Sequence, residues 1–98
     1  MAPREPMSLQ QLLPGVLAQV ARETGCARQL KPLWDEVVGP AIARNSSPLA
    51  LAGTALVVSV ASLRWQAELS RREPELKERL QRKLGKGTVT RLVFRIAG

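Results

Sequence analysis

The sequence predicts an α+β domain in which a three-stranded sheet is covered on one face by helices. Three observations support this class. Apolar residues at helical spacing come first, a hairpin with alternating side chains follows, and a kinked helical segment then leads to a last alternating strand. The element order is α-α-β-β-α(α)-β. We expect a flexible arm at residues 1–7 and a single domain over 8–98, because 98 residues support one small core.

The first helix is predicted to begin at a proline. Ser8 and Gln11 have the spacing of a capping box, and leucines at helical spacing follow them. Pro14 interrupts this pattern, since proline disfavours a helical residue before it but suits the first helical position. We therefore expect a short turn at 8–13 and a helix from Pro14 to about Glu23.

A second helix is predicted from about Arg28 to Val38. Gly39 and Pro40 end it, residues 41–43 are expected to form a brief turn, and 45–48 has the composition of a loop. Apolar residues recur in this helix at i, i+3, i+4 and i+7, which places them on one buried face: Leu30, Leu33, Trp34 and Val37.

A hairpin is predicted next. Gly53 and Thr54 suit a two-residue turn with glycine at its first central position. Large and small side chains alternate on both sides of this turn, and we expect the large ones to face the core: Leu49, Leu51, Leu56, Val58 and Val60.

The last third contains a broken helix and a strand. Ser62 is a suitable N-cap, Pro74 breaks the helix near residue 73, and the second piece, 74–84, has a leucine face formed by Leu76, Leu80 and Leu84. Residues 88–96 alternate as a strand. We expect Thr90, Leu92, Phe94 and Ile96 to point inward, with Val89, Arg91, Val93 and Arg95 on the other side.

The charge distribution indicates a polyanionic partner. The net charge is +7 and the isoelectric point is about 11.1. Residues 1–63 contribute +1 (five basic, four acidic), and residues 64–98 contribute +6 (ten basic, four acidic). A basic face of this kind favours nucleic acid. The alternative is a solvated helix surface with no ligand.

Enzymatic chemistry and cofactors are not expected. The chain has no histidine, and Cys26 is the single thiol, so neither a catalytic triad with histidine nor a cysteine–histidine metal site is available. Residues 85–87 follow a helix, whereas a phosphate-binding glycine loop follows a strand. There is no signal-peptide pattern, and the longest apolar stretch, 49–63, is too short for a membrane span. A single cysteine fits a reducing compartment, and we expect a cytoplasmic protein.

Seven basic side chains are the candidate nucleic-acid contacts. Three of them recur at i, i+3 and i+7 on the 74–86 segment and share a stripe about 60° wide. Two lie on one side of the last strand, and two lie at the helix break. Contacts of this kind provide affinity for phosphates without sequence choice. The candidates are Arg71, Arg72, Arg79, Arg82, Lys86, Arg91 and Arg95.

The two tryptophans could stack on bases, but their spacing favours the core. Trp34 belongs to the apolar face of the second helix, and Trp65 shares a face with Leu69 at i, i+4. We expect both to be mainly structural.

The order of these motifs resembles that of the DciA family. The pattern runs from Trp34, Val37, Val38 and Gly39, through Ser46 and Pro48, to Gly53, Leu56, Val58 and Val60, and then to Trp65, Glu68 and Leu69. The resemblance covers about residues 12–96. Trp34, Gly39, Trp65 and Leu69 match as family hallmarks.

The resemblance implies a KH-like domain that binds DNA and the bacterial replicative helicase, DnaB, and helps to load it at replication origins. The site of helicase contact is not evident, and segment 28–44 is a candidate only because of its expected exposure. Two other functions remain open. One is a protein-interaction module for an acidic partner without nucleic-acid binding, and the other is a KH-like RNA-binding protein.

Two departures from the family pattern bear on mechanism. KH domains clamp the nucleic-acid backbone with a Gly-x-x-Gly loop between two helices. The corresponding residues 70–74 contain no glycine, and we expect the neighbouring arginines to replace the clamp. Family members often carry a long tail after this domain, so we expect helicase contacts that depend on such a tail to be missing.

Overall fold

The computed structural model describes residues 14–97, and its element order confirms the predicted α+β class. The predicted arm at 1–7 and the turn at 8–13 lie outside the described residues. The elements are α1 Pro14–Thr24, a 3-10 turn Arg28–Leu30, α2 Lys31–Val38, α3 Pro40–Ala43, β1 Ser46–Ala52, β2 Ala55–Val60, α4 Leu63–Arg71, α5 Glu73–Leu84 and β3 Arg91–Ile96.

The sheet has the strand order β1-β2-β3. Strands β1 and β2 are antiparallel and are joined by the predicted two-residue turn, in which Gly53 has a φ of +62°. Strands β2 and β3 are parallel, and α4 and α5 form the crossover that parallel pairing requires. The outer edge of β1 is extended by segment 25–27, since Ala27 N–H donates to the Leu49 carbonyl at 2.9 Å. This arrangement is consistent with a KH-like fold.

The core lies between the sheet and the helices on one of its faces. Every helix of eight or more residues contributes buried apolar side chains, which confirms the predicted faces of α2 and α5. Trp34 is 1% exposed and lies among the side chains that α2 contributes to the core. The sheet contributes Leu51, Leu56, Val58, Val60, Leu92 and Phe94.

The end signals of α4 are also confirmed. The hydroxyl of Ser62 accepts a hydrogen bond from Trp65 N–H at 3.3 Å, which satisfies one donor of the first turn. The helix ends at Arg71, and α5 begins at Glu73 with proline in its first turn. The break is therefore a single residue, Arg72.

The structure corrects the prediction for 45–48, because the expected loop is mostly strand. Ser46 and Pro48 lie in β1 and are buried. A bulge between Pro48 and Ala50 adds Leu49 to this strand without a partner in β2. Leu49 is therefore only half-buried and does not share the core face with Leu51. An extra residue reverses the alternation of side chains, and spacing alone did not reveal it.

The last strand is shorter than predicted and begins at Arg91. Val89, expected on the outward side, is fully buried, whereas Thr90 is exposed and Ile96 is 45% exposed. Gln81 Nε2 donates to the Val89 carbonyl at 2.7 Å, so this residue packs against α5 instead of extending the strand. The inward positions of Leu92 and Phe94 are confirmed.

Candidate nucleic-acid interface

Four of the seven candidate cations pair with glutamates three or four positions before them in the chain. Arg71 and Arg72 share Glu68 at 2.5 and 2.8 Å. Arg82 pairs with Glu78 at 2.6 Å. The three arginines are half to three-quarters exposed, so each pair is weak and can exchange its glutamate for another anion. The spacing i, i+3 or i, i+4 of glutamate before arginine was a sequence signal for this pairing.

Arg79 has a structural partner as well as an ionic one. It pairs with Glu75 at 2.5 Å, and its second nitrogen donates to the Val37 carbonyl at 3.2 Å. The last carbonyl groups of a helix have no partner within the helix, and Arg79 satisfies one of them in α2. The predicted stripe of Arg79, Arg82 and Lys86 is therefore not a row of uncompensated charges.

The other three candidates are not paired in this way. Lys86, Arg91 and Arg95 are exposed, and within residues 14–97 none of them has a carboxylate within 4.0 Å. Lys86 lies between two glycines with positive φ, directly after α5. Charges of this kind are available to a ligand without breaking an existing pair.

Arg91 and Arg95 belong to the open face of the sheet, opposite the helices. The pairing register defines three rows across the strands. Each row contains one residue from each strand. The middle row is Ala50, Val57 and Val93, and the rows on either side of it end at Arg91 and at Arg95. With about 3.3 Å per residue, the two arginines are about 13 Å apart along the strand. The small side chains between them leave room for the close approach of a polymer backbone. The rows are Ala52–Ala55–Arg91, Ala50–Val57–Val93 and Ser47–Ser59–Arg95.

The turn between α4 and α5 does not have the properties of a phosphate clamp. It contains no glycine, and the Glu73 carboxylate accepts a hydrogen bond from Leu92 N–H at 3.1 Å. This bond ties the turn to the outer edge of β3. A carboxylate at the position where a KH loop receives phosphate disfavours an approaching anion.

The family hallmarks have mainly structural positions. Trp34 and Leu69 are buried, and Trp65 is half-buried against the core. Gly39 has a φ of +86°, a conformation that other residues adopt only with strain, and it turns the chain from α2 into α3.

Sequence reasoning did not propose Arg64 as a site residue. This side chain is exposed and, within the described chain, has no carboxylate within 4.0 Å. It lines a cleft together with Trp65 and Arg72. A cation next to an aromatic residue was the available signal. Glu68 also lines this cleft. A hydrogen bond from Arg72 lowers the pKa of Glu68, desolvation opposes this shift, and the charge of Arg71 adds to the lowering.

Two further features are absent from residues 14–97, namely a membrane-spanning helix and a metal-binding cluster. None of the helices there is long and apolar enough to cross a membrane. No cluster of histidine, cysteine, aspartate and glutamate in that range is arranged to hold a metal ion.

The fold and its surface define a small α+β domain of the KH-like class with a basic open sheet face. A protein-family model described as "Dna[CI] antecedent, DciA" matches residues 8–94, and the chain belongs to this family. A search of curated proteins finds no match. Family membership supports a role related to the replicative helicase and to DNA replication.

Proposed function

We propose that this chain is a non-enzymatic, DNA-binding accessory factor of the replicative helicase, which acts in helicase loading in the bacterial cytoplasm. The observation that carries the DNA contact is the pair Arg91 and Arg95 on the open sheet face, with no carboxylate partner in the described chain. Family membership supports the helicase as the partner.

The open sheet face suits a sequence-independent contact. Arginine presents several donors in a planar group that matches phosphate oxygens. The row between Arg91 and Arg95 consists of Ala50, Val57 and Val93, which offer no donor or acceptor to read base edges. We therefore expect affinity from phosphates and little preference among sequences.

The helix arginines have a secondary part in this proposal. Each of Arg71, Arg72 and Arg82 must exchange a glutamate for a phosphate, so its net contribution is smaller than that of an unpaired cation. Lys86 needs no such exchange, and we assign it to the contact surface with the two strand arginines.

A salt-dependent titration tests the DNA contact. Labelled single-stranded and duplex DNA are titrated with the wild-type chain, with Arg91→Glu/Arg95→Glu and with Arg71→Glu/Arg72→Glu. We expect the strand double variant to show the larger loss and to lower the slope of log K against log salt by about 2, one for each phosphate contact.

The control is Arg28→Glu, which makes the same change at one exposed arginine in the 3-10 turn. Absence of binding at low salt, or binding that does not respond to salt, contradicts the DNA contact. A matched RNA oligonucleotide that binds more tightly than DNA supports RNA as the ligand instead.

A further inference from the structure

A cleft between the α2–α3 junction and α4 has a half-buried apolar wall. Its volume is about 580 Å³, which lies within the range of ligand-binding pockets. Val38, Ile42 and Trp65 are half-buried apolar residues that pack against the core, and all three line this cleft. Clustering of apolar surface in one concave place is typical of an interaction site.

The two tryptophans differ in their indole N–H groups. Trp34 Nε1 donates to the Ser46 hydroxyl at 2.9 Å. Trp65 Nε1 makes no hydrogen bond with residues 14–97, and no buried polar side-chain atom in that range lacks a partner. The Trp65 N–H is therefore reached by solvent and is available to an acceptor on a ligand. A tryptophan with an apolar body and an available donor is typical of interface anchors.

The rim of the cleft has a net positive charge. Arg64 has no carboxylate within 4.0 Å in the described chain, and Arg72 lies on the same rim. The one rim carboxylate, Glu68, is compensated by its bonds to Arg71 and Arg72. Charge complementarity therefore requires an acidic group on the occupant.

We propose that this cleft binds a short segment of a protein partner that carries an aliphatic side chain next to a carboxylate. The aliphatic side chain packs on Val38, Ile42 and Trp65. The carboxylate pairs with Arg64, and a carbonyl oxygen of the segment accepts the Trp65 N–H. This inference rests on the proposed function in one respect, since the replicative helicase is the partner expected to present the segment.

The lining favours a protein segment over a nucleotide. Surfaces that bind single strands place several aromatic faces along a basic groove. Here Trp65 is the one aromatic residue in the lining, and the rest of the apolar wall is aliphatic. The arginines of the open sheet face do not line the cleft, so the protein segment and the main DNA contact use different surfaces; of the secondary DNA contacts, only Arg72 also lines the cleft.

Two variants test the cleft while preserving the fold. Arg64→Glu reverses an exposed charge in the first turn of α4, where a negative charge is favourable. Trp65→Phe keeps an aromatic ring but removes the N–H donor. The control is Arg22→Glu, at an exposed arginine of α1 that lies outside both the cleft lining and segment 28–44. Binding to the purified replicative helicase of the same organism and to single-stranded DNA is measured in separate titrations, and circular dichroism melting verifies folding.

We expect Arg64→Glu to weaken helicase binding by about tenfold and Trp65→Phe by several-fold, with Arg22→Glu unchanged. Trp65→Phe should leave DNA binding at the wild-type level. Folded variants that bind the helicase as tightly as wild type overturn the inference alone. A loss of DNA binding by Trp65→Phe with helicase binding retained identifies a nucleotide site and also overturns it. Absence of helicase binding by the wild-type chain contradicts both the helicase partner and this inference.

Discussion

The buried indole of Trp34 donates its N–H to the hydroxyl of Ser46 at 2.9 Å, and this hydroxyl donates in turn to the Ile42 carbonyl at 2.7 Å. The relay joins α2, the end of α3 and the start of β1. Trp34 is 1% exposed and Ser46 is 6% exposed, so water cannot replace either bond easily. A family hallmark at position 34 is thereby tied to a serine that begins the sheet.

Loss of the Ser46 hydroxyl should destabilise the fold. Ser46→Ala leaves the buried Trp34 N–H without an acceptor, which costs about 1–3 kcal/mol in the free energy of unfolding. Urea unfolding followed by circular dichroism measures this difference. Ser47→Ala, at the neighbouring half-buried position on the open face, serves as the control and should change stability much less. Equal effects of the two substitutions would contradict the importance of the relay.

Lys31 should stabilise the junction between α2, α3 and β1. Its ammonium group donates to Asp35 Oδ1 and to the Ala43 carbonyl at 2.7 Å, and to the Ser46 carbonyl at 3.0 Å. The side chain is 36% exposed, so water replaces part of what is lost on substitution. Lys31→Met should therefore reduce the unfolding free energy by about 1–2 kcal/mol.

The matched control for Lys31→Met is Lys77→Met. Lys77 is a half-buried residue of α5, and no carboxylate in residues 14–97 lies within 4.0 Å of its ammonium group. Denaturant unfolding should show a clearly smaller change there. A Lys31→Met protein as stable as wild type would show that the three bonds have no net effect.

Substitution of two glycines should have opposite effects. Gly39→Ala forces a side chain into a φ of +86° between α2 and α3, at a cost of about 1–3 kcal/mol. Gly15→Ala lies in α1, where φ is not positive and the nearest atom to an added Cβ is the Leu84 carbonyl oxygen at 3.9 Å. It should stabilise the fold by about 0.5–1 kcal/mol. Thermal melting of both variants checks the signs, and two changes of the same sign would contradict the reasoning.

Glu68 should make stability depend on pH. The hydrogen bond from Arg72, assisted by Arg71, lowers the pKa of Glu68 in the folded state. The unfolded state therefore binds the proton more readily, and the stabilisation is present above the ordinary glutamate pKa of about 4.3 and is lost as the pH falls through the lower folded value. The stability difference between wild type and Glu68→Gln should shrink from pH 7 to pH 3.

Salt provides the control for this prediction. The side chain of Glu68 is 30% exposed, so about 1 M salt should reduce the same difference at pH 7 by screening. A difference that does not change with either pH or salt would mean that packing, not charge, distinguishes the two proteins.

Arg79 should contribute to stability more than Arg82 does. Both pair with a glutamate at i−4, but only Arg79 also donates to the Val37 carbonyl. Arg79→Met should cost about 0.5–1.5 kcal/mol in the unfolding free energy, and Arg82→Met should be near neutral. Chemical unfolding of the two variants makes the comparison, and an equal cost would remove the structural role assigned to Arg79.

Much of the fold could be predicted from local pattern. The helical spacing of Leu30, Leu33, Trp34 and Val37, the cap at Ser62 and the turn at Gly53 depend on residues only a few positions apart, and the structure confirms them. The bulge at Leu49 was not predictable in this way. It lies where segment 25–27 pairs with the outer edge of β1, and the spacing of apolar residues within β1 does not encode that distant contact.

The candidate site, like the fold, could be predicted from the sequence only in part. The seven basic positions were available from the sequence, and so was the i, i+4 spacing that pairs Arg72, Arg79 and Arg82 with glutamates. The cleft around Trp65 was not available, because its two walls come from segments more than twenty residues apart.

By itself, the sequence determined the element order, the faces of the helices and central strand, the family membership and the excess of positive charge. These depend on side-chain period, turn chemistry and composition, which are properties of neighbouring residues. The tertiary structure decided that Trp34 is satisfied by Ser46 while Trp65 retains an available N–H, and that Arg91 and Arg95 share one open face. Whether an indole donor is satisfied, and which strand charges share a face, depends on residues that are distant in the sequence, and only the packing of the chain sets those contacts.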